Sequence, residues 1–332
     1  MMKQICLLLV SLIFTLFIIK DTWADELSYS VKAEIPDNQI DQNLNYFDLL
    51  IKPEEKQDIA INITNNSNEI KNFNICVNNA LTTTNGNIDY NQHGLQTDES
   101  MKISIEELVQ NTHEKIEIKP GETQRVIFHI SMPKEKVEGM ILGGINITQD
   151  HDYKEEEKQN ILVKNMYSYI IGIKIRQELE PVTPDLHLNE IQTGLVNNAS
   201  SVIANLQNST ATLLRNVSIE AQITKKEDNT IVLKTKKENM SIAPNTNFDF
   251  LINSHHEMIT SGEYTLDISV SSDQGNWTFT KDFTVKNKQT IPSEVKYKNN
   301  QSIKDYNLLD ITLFFIFLVI MSYIIYRIRK KR

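Results

Sequence analysis

The chain has 332 residues, with 34 Lys and Arg against 43 Asp and Glu, 40% hydrophobic residues, 10 Gly, 8 Pro and 2 Cys. This length fits about two domains, and the composition excludes a collagen, a disulfide-stapled miniature domain and a fully disordered chain. Residues 25–326 carry 27 basic and 42 acidic side chains, a net −15 of which −12 falls in residues 25–180, and no basic stripe is left to neutralise phosphates, which argues against nucleic acid as a partner.

Taken in chain order, residues 1–24 read as a secretory signal peptide. Lys3 gives the positive start, Ile5 to Ile19 the apolar run, and Thr22-Trp23-Ala24 the small-residue approach to cleavage between Ala24 and Asp25. Cys6 lies far ahead of that point, which argues against a lipoprotein. Removal of the signal leaves Cys76 as the only cysteine, so no internal disulfide can form. Cys76 itself is expected as a small buried hydrophobe on a strand.

From there, period-two patterning dominates. Ile59, Ile61 and Ile63 alternate with polar residues until Asn65-Asn66-Ser67-Asn68 ends the run. Ser104–Gln110 and Lys134–Glu138 each have room for a turn or two of helix. Between them, the turn Lys119-Pro120-Gly121-Glu122 leads into Val126, Phe128 and Ile130, which alternate again and leave His129 facing solvent. Gly143-Gly144 implies a bulge or a close backbone approach within a strand. His151–Lys158 reads as an exposed hairpin tip.

Glu180-Pro181-Val182-Thr183-Pro184 marks the boundary between two domains, 25–180 and 181–287, because two prolines so close cannot lie in a central strand. In the second domain, Leu266, Ile268 and Val270 alternate before a turn at Ser272–Gly275 and a returning strand through Trp277. Many short strands separated by turn residues predict an all-β protein, two tandem immunoglobulin-like β-sandwiches, and not βαβ units.

Residues 288–307 form a stalk, and residues 308–326 a single transmembrane helix of 19 residues, roughly 28 Å long. The basic tail 327–332 places the C-terminus in the cytoplasm and the bulk of the chain outside. The Leu-Pro-x-Thr-Gly cleavage sequence of a sortase substrate is missing, so the anchor is expected to be retained.

The seven histidines form no His-Glu-x-x-His helix, no Cys pair supports a zinc site, and no Gly-x-Ser-x-Gly elbow or phosphate loop occurs. The expectation is therefore a non-enzymatic protein with no catalytic residue, metal or cofactor.

The motifs, read together, resemble one family. They are Tyr46-Phe47-Asp48-Leu49 with Lys52-Pro53, Val77-Asn78-Asn79-Ala80, Gly86-Asn87-Ile88-Asp89-Tyr90, Gly139–Ile145 and Tyr167–Gly172 in the first domain. In the second they are Gly194-Leu195-Val196-Asn197, Met240–Phe250, Gly262-Glu263-Tyr264-Thr265-Leu266 and Trp277–Phe283. This order is similar to that of the WxL-interacting proteins, membrane-anchored surface proteins of Gram-positive bacteria. Glu54-Glu55 departs from the pattern, standing where the family more often has a Gly-containing turn.

The resemblance implies a peptidoglycan-associated domain followed by a host-factor-binding domain, partnership with a WxL-domain surface protein, and location at the cell membrane with the ectodomain in the cell wall. A −12 domain is repelled by wall phosphates at long range unless divalent cations bridge them, so peptidoglycan contact should rest on short-range hydrogen bonds and aromatic stacking. Asn78, Asn79 and Tyr90 are the candidate ligand-binding residues, with turn formation and edge packing as their structural alternative. A partner could also add a strand to an exposed sheet edge. Two other function classes remain open on sequence alone: a cell-wall-modifying hydrolase with an unrecognised acid/base pair, and a chaperone-like sandwich for secreted partners.

Overall fold

The computed structural model describes residues 28–150, 168–196, 199–253 and 259–286. The predicted signal peptide with its Ala24–Asp25 cleavage point, the hairpin tip 151–158, the stalk, the transmembrane helix and the basic tail lie outside the described residues. All described residues fall in one compact unit, Met1–Thr290.

The fold is all-β. In the first sandwich one sheet has the order β1 (Tyr29–Glu34), β3 (Lys56–Asn65), β9 (Thr123–Ser131), β7 (Val109–Gln110). The other runs β2 (Phe47–Leu50), β11 (Ser168–Arg176), β10 (Met140–Asp150), β4 (Lys71–Asn79), β8 (His113–Ile118). All pairings are antiparallel except β2 with β11. The expected alternation fills the core: Ile59, Ile61, Ile63, Val126, Phe128 and Ile130 from one sheet pack with Phe73, Ile75, Val77, Ile145, Ile147, Ile173 and Ile175 from the other. His129 is exposed and pairs with Asp58 at 2.6 Å.

The second sandwich packs β12 (Leu186–Val196), β13 (Ala199–Asn208) and β16 (Thr246–Asn253) against β15 (Ile231–Ile242), β14 (Leu214–Lys225), β17 (Gly262–Ser272) and β18 (Gly275–Val285). Its separate core joins Val202, Ala204, Leu206, Phe248, Phe250 and Ile252 with Val217, Ile219, Ile223, Leu266, Ile268 and Val270.

The two sandwiches use the same device to turn a corner. Asn65 and Asn208 are each fully buried at a strand end. Asn65 donates to the carbonyls of Glu69 and Ile118 and accepts from Ser67. Asn208 donates to those of Thr212 and Ala243 and accepts from Thr210. A carboxamide offers two donors and an acceptor, so one side chain satisfies a loop that would otherwise bury orphan backbone groups.

A short arm leaves the first sandwich after β4. It contains the hairpin β5 (Leu81–Thr82) and β6 (Ile88–Asp89) and ends in one helical turn, α1 (Ile105–Leu108). Ser104 and Glu107 close that turn with reciprocal caps, so the first of the two short helices expected from sequence forms. The second does not: Lys134–Glu138 runs as bends and irregular chain, and the Val137 amide goes to Gln177 Oε1 at 2.9 Å instead of into a helical turn. Cys76 also departs from expectation. Its neighbours Ile75 and Val77 fill the core, so Cys76 lies half-buried on the outer face of β4.

Candidate functional site: the outer face of the five-stranded sheet

Because β4, β10 and β11 bury every second residue, the intervening residues form the outer face of the first sandwich. Register sets their order across the strands. Arg176 lies opposite Met140, Lys174 opposite Leu142 and Asp48, Gly172 opposite Gly144, and Gly144 opposite Asn78 on its other side. Asn146 follows, opposite Cys76.

The paired glycines Gly144 and Gly172 form the middle of this face. A Cβ on Gly144 would come within 3.0 Å of Tyr90 Cδ1, and one on Gly172 would sit 3.7 Å from Tyr46 Cβ. Two half-buried tyrosines thus lie on a floor without side chains. Burial pushes the Tyr90 hydroxyl pKa up, the neighbouring Tyr46 adds to the rise, and Arg215 acts against it. Gly143 faces the other way, where a Cβ would meet Ile105 Cγ2 at 2.3 Å and the Asn78 carbonyl at 2.6 Å. The expected close backbone approach is what the Gly-Gly pair provides, and the strand register passes through it without a bulge.

Asn78 meets Tyr90 whereas Asn79 turns to α1, and the two asparagines are only 1% and 6% exposed. Asn78 donates to the Tyr90 carbonyl at 2.6 Å and lies 2.9 Å from His93 Nδ1. Asn79 accepts from the amides of Ile105 and Glu106, holding the start of α1. Both carboxamides therefore position the arm, and Tyr90 is the member of the trio with ring surface to offer. Sequence reasoning missed Tyr46, Asn146 and Asn91. Asn146 donates to Asn91 Oδ1 at 2.6 Å, while its own Oδ1 and that of Asn74 are buried without a partner. The one available signal was Gly172, which the alternation places on the same face as Gly144.

At the other end of the face, the Asp48 side chain is buried and bridges two cations. Lys174 Nζ lies 3.1 Å from one oxygen and Arg176 Nη2 2.7 Å from the other. Beyond them opens a cleft of about 500 Å³, walled by Met140, Lys174, Arg176, the linker Leu179–Pro184, Leu213 and Arg215. Among the described residues no group of three or more His, Cys, Asp or Glu is placed to hold a metal ion.

The arm joins this face to the second sandwich. Gly86, at φ 77°, sits on the Met240 side chain and its carbonyl accepts from the Ser241 amide at 2.7 Å. Thr82 Oγ1 accepts from the Ala243 amide, the Thr84 carbonyl from Lys237, and Asp98 from Gln207 and Asn247.

Residues 29–149 match the family described as the WxL Interacting Protein peptidoglycan binding domain, and residues 158–292 match its host binding domain. The chain belongs to the WxL-interacting protein family. Both of its modules are binding-domain families, which makes it a cell-surface binding protein. No curated protein matches the chain.

Among solved structures, the WxL-interacting chain is similar to the class 5 fimbriae chaperone CfaA (14% identity, 70% of this chain and 95% of that one, TM-score 0.28). It is also similar to the CsuC–CsuE chaperone–tip adhesion subunit pre-assembly complex of Acinetobacter baumannii (10%, 69% and 98%, 0.30) and a PapD-like domain of human CEP192 (7%, 46% and 87%, 0.26). At such TM-scores these likenesses carry nothing about function.

Proposed function

We propose that this protein is a non-enzymatic surface scaffold, anchored by its C-terminal segment. In this reading the first sandwich binds peptidoglycan with the outer face of its five-stranded sheet, and the second displays a host-factor site. A WxL-domain protein is the cell-wall partner. The single observation that carries this is the serial match to peptidoglycan-binding and host-binding families within one compact unit. The outer face supports it: two tyrosines on a glycine floor, next to amides, suit the apolar face and hydroxyl rim of a sugar ring. With a −12 domain, attraction has to be short-ranged in this way.

The compact unit ending at Thr290 should co-sediment with purified sacculi at both low and high salt. Replacing Tyr90 by Ala should reduce the bound fraction about tenfold, the scale of one lost aromatic anchor. No sedimentation of the wild-type unit under any of these salts, with or without calcium, overturns the wall-binding half of the proposal. Capture of the WxL-domain partner by the same unit from a defined mixture tests the other half.

A further inference from the structure

We infer that the cleft beside Lys174, Arg176 and Arg215 is a subsite for a free carboxylate, the C-terminal carboxylate of a peptidoglycan peptide stem. The inference deepens the wall-binding reading above and rests on it. Its ground is a charge that the fold concentrates and leaves unsatisfied. The first domain is strongly acidic, yet at this one place two of its cations and Arg215 of β14 line a common cleft. Lys174 and Arg176 divide a single carboxylate, Asp48, between them. Arg176 Nε is buried with no partner. Arg215 is exposed, and among the described residues its guanidinium has no ion-pair or hydrogen-bond partner, its backbone alone being engaged by Gln274 and Asp273. Among the described residues, Glu180 is the one acidic side chain in the lining.

A planar guanidinium fork with free N–H groups is matched by a carboxylate, which accepts two parallel bonds. The walls fit the rest of such a ligand. Met140, Val182, Ala211 and Leu213 are small to medium apolar side chains, suited to the methyl groups of alanine residues. The cleft opens on the same sheet face as the tyrosine floor, because Arg176 and Lys174 in its wall and Gly172 in the floor are alternate residues on one face of β11. A saccharide on Tyr46 and Tyr90 would thus place an attached peptide towards the cations. A wall phosphate offers the same anionic chemistry, but a phosphate polymer meets the repulsion of the whole −12 domain, whereas one carboxylate on a muropeptide meets it only once.

The test is calorimetry on the unit ending at Thr290 with three probes: a disaccharide-peptide with a free C-terminal carboxylate, the same compound as its C-terminal amide, and a glycerol-phosphate oligomer. The free acid should bind at least about tenfold more tightly than the amide, the effect of one charge-assisted bond. Arg215→Glu should erase that preference, while unfolding at the wild-type midpoint because Arg215 is exposed. Arg215→Lys, which keeps charge without the fork, should retain part of it. Equal affinity for acid and amide, an unchanged preference in Arg215→Glu, or tighter binding of the phosphate oligomer each overturns the carboxylate site. Sacculus sedimentation of the same samples separates the two readings: sedimentation without acid preference removes the subsite alone, and loss of both removes the wall-binding reading.

Discussion

Gly86 offers the sharpest test of how the two sandwiches are held. It lies at the tip of the arm hairpin with φ 77°, and a Cβ built there would stand 2.4 Å from Met240 Cγ and 2.6 Å from Met240 Cβ. Substituting Ala costs about 1–2 kcal/mol for holding an L-residue in the left-handed region. Displacing the root of the buried Met240 side chain adds about 1–3 kcal/mol of overpacking. The arm has an alternative, which is to lift away. Doing so forfeits the bonds from the Ser241 amide to Gly86, from the Ala243 amide to Thr82 and from Lys237 to Thr84, at about 1 kcal/mol each. The smaller of the two costs governs, so Gly86→Ala should lose about 2–3 kcal/mol, a fall of about 1 M in urea midpoint for a slope of 2–3 kcal/mol/M. Hydrogen exchange locates the damage: the Ser241 and Ala243 amides, in β15 and just beyond it, should lose protection while the Ile61 and Ile145 amides of the first core keep theirs. An unchanged midpoint with Ser241 and Ala243 still protected would refute the reasoning and show that the arm merely rests on the second sandwich.

Three further outcomes follow from local chemistry. Asp48→Asn leaves Lys174 and Arg176 without their shared anion in a largely buried setting, and should cost about 3–5 kcal/mol by denaturant unfolding; a loss below about 1 kcal/mol would mean that solvent already screens the trio. Glu54 adopts φ 63° in the turn after Lys52-Pro53, so Glu54→Gly should gain about 1 kcal/mol in the same assay, and a loss would contradict the strain argument. The Tyr29 hydroxyl pKa is pushed up to about 12 by burial, with Tyr169 adding to the rise. A raised folded pKa means that stability is fully present below the ordinary value near 10 and drains as pH climbs towards 12, so Tyr29→Phe should flatten the alkaline limb of a stability–pH curve.

Period-two runs made both cores legible in the sequence, because burial on one face of a strand imposes alternation whatever the partner strand is. The same rule correctly placed His129 outward, and applied to Ile75 and Val77 it would have placed Cys76 outward too; treating cysteine as a hydrophobe overrode the stronger signal. Lys134–Glu138 carries local helical preference, but Gln177, forty residues away, takes the Val137 amide, and no local propensity anticipates that bond. The site was half legible for the same reason. Asn78 reaches Tyr90 across 12 residues and Asn79 reaches α1 across 26 and 27, and the Asn residues announced turn chemistry without saying which loop they hold. The cleft was invisible. Arg215 reaches it from another sandwich, and only the fold sets it beside Lys174 and Arg176.

The division of the chain by family and its division by sheet do not coincide. The host-binding match begins at residue 158, yet β11, at Ser168–Arg176, sits between β2 and β10 in the first sandwich. It contributes Ile171, Ile173 and Ile175 to the first core and, among the described residues, is the only partner strand of β2. Burying three isoleucines is worth about 5–9 kcal/mol at roughly 1.5–3 kcal/mol each, which is the size of a whole domain's net stability. Without β11, Asp48 also loses both its cations and β10 becomes an edge with exposed backbone. A chain cut to residues 29–149 should therefore show no cooperative unfolding transition and no dispersed amide spectrum, whereas the unit ending at Thr290 should show both. A folded 29–149 fragment would mean that β11 is dispensable and that the first sandwich closes by itself. Short of that, β11 belongs physically to the first sandwich, and the chain crosses from one sandwich to the other only after Arg176.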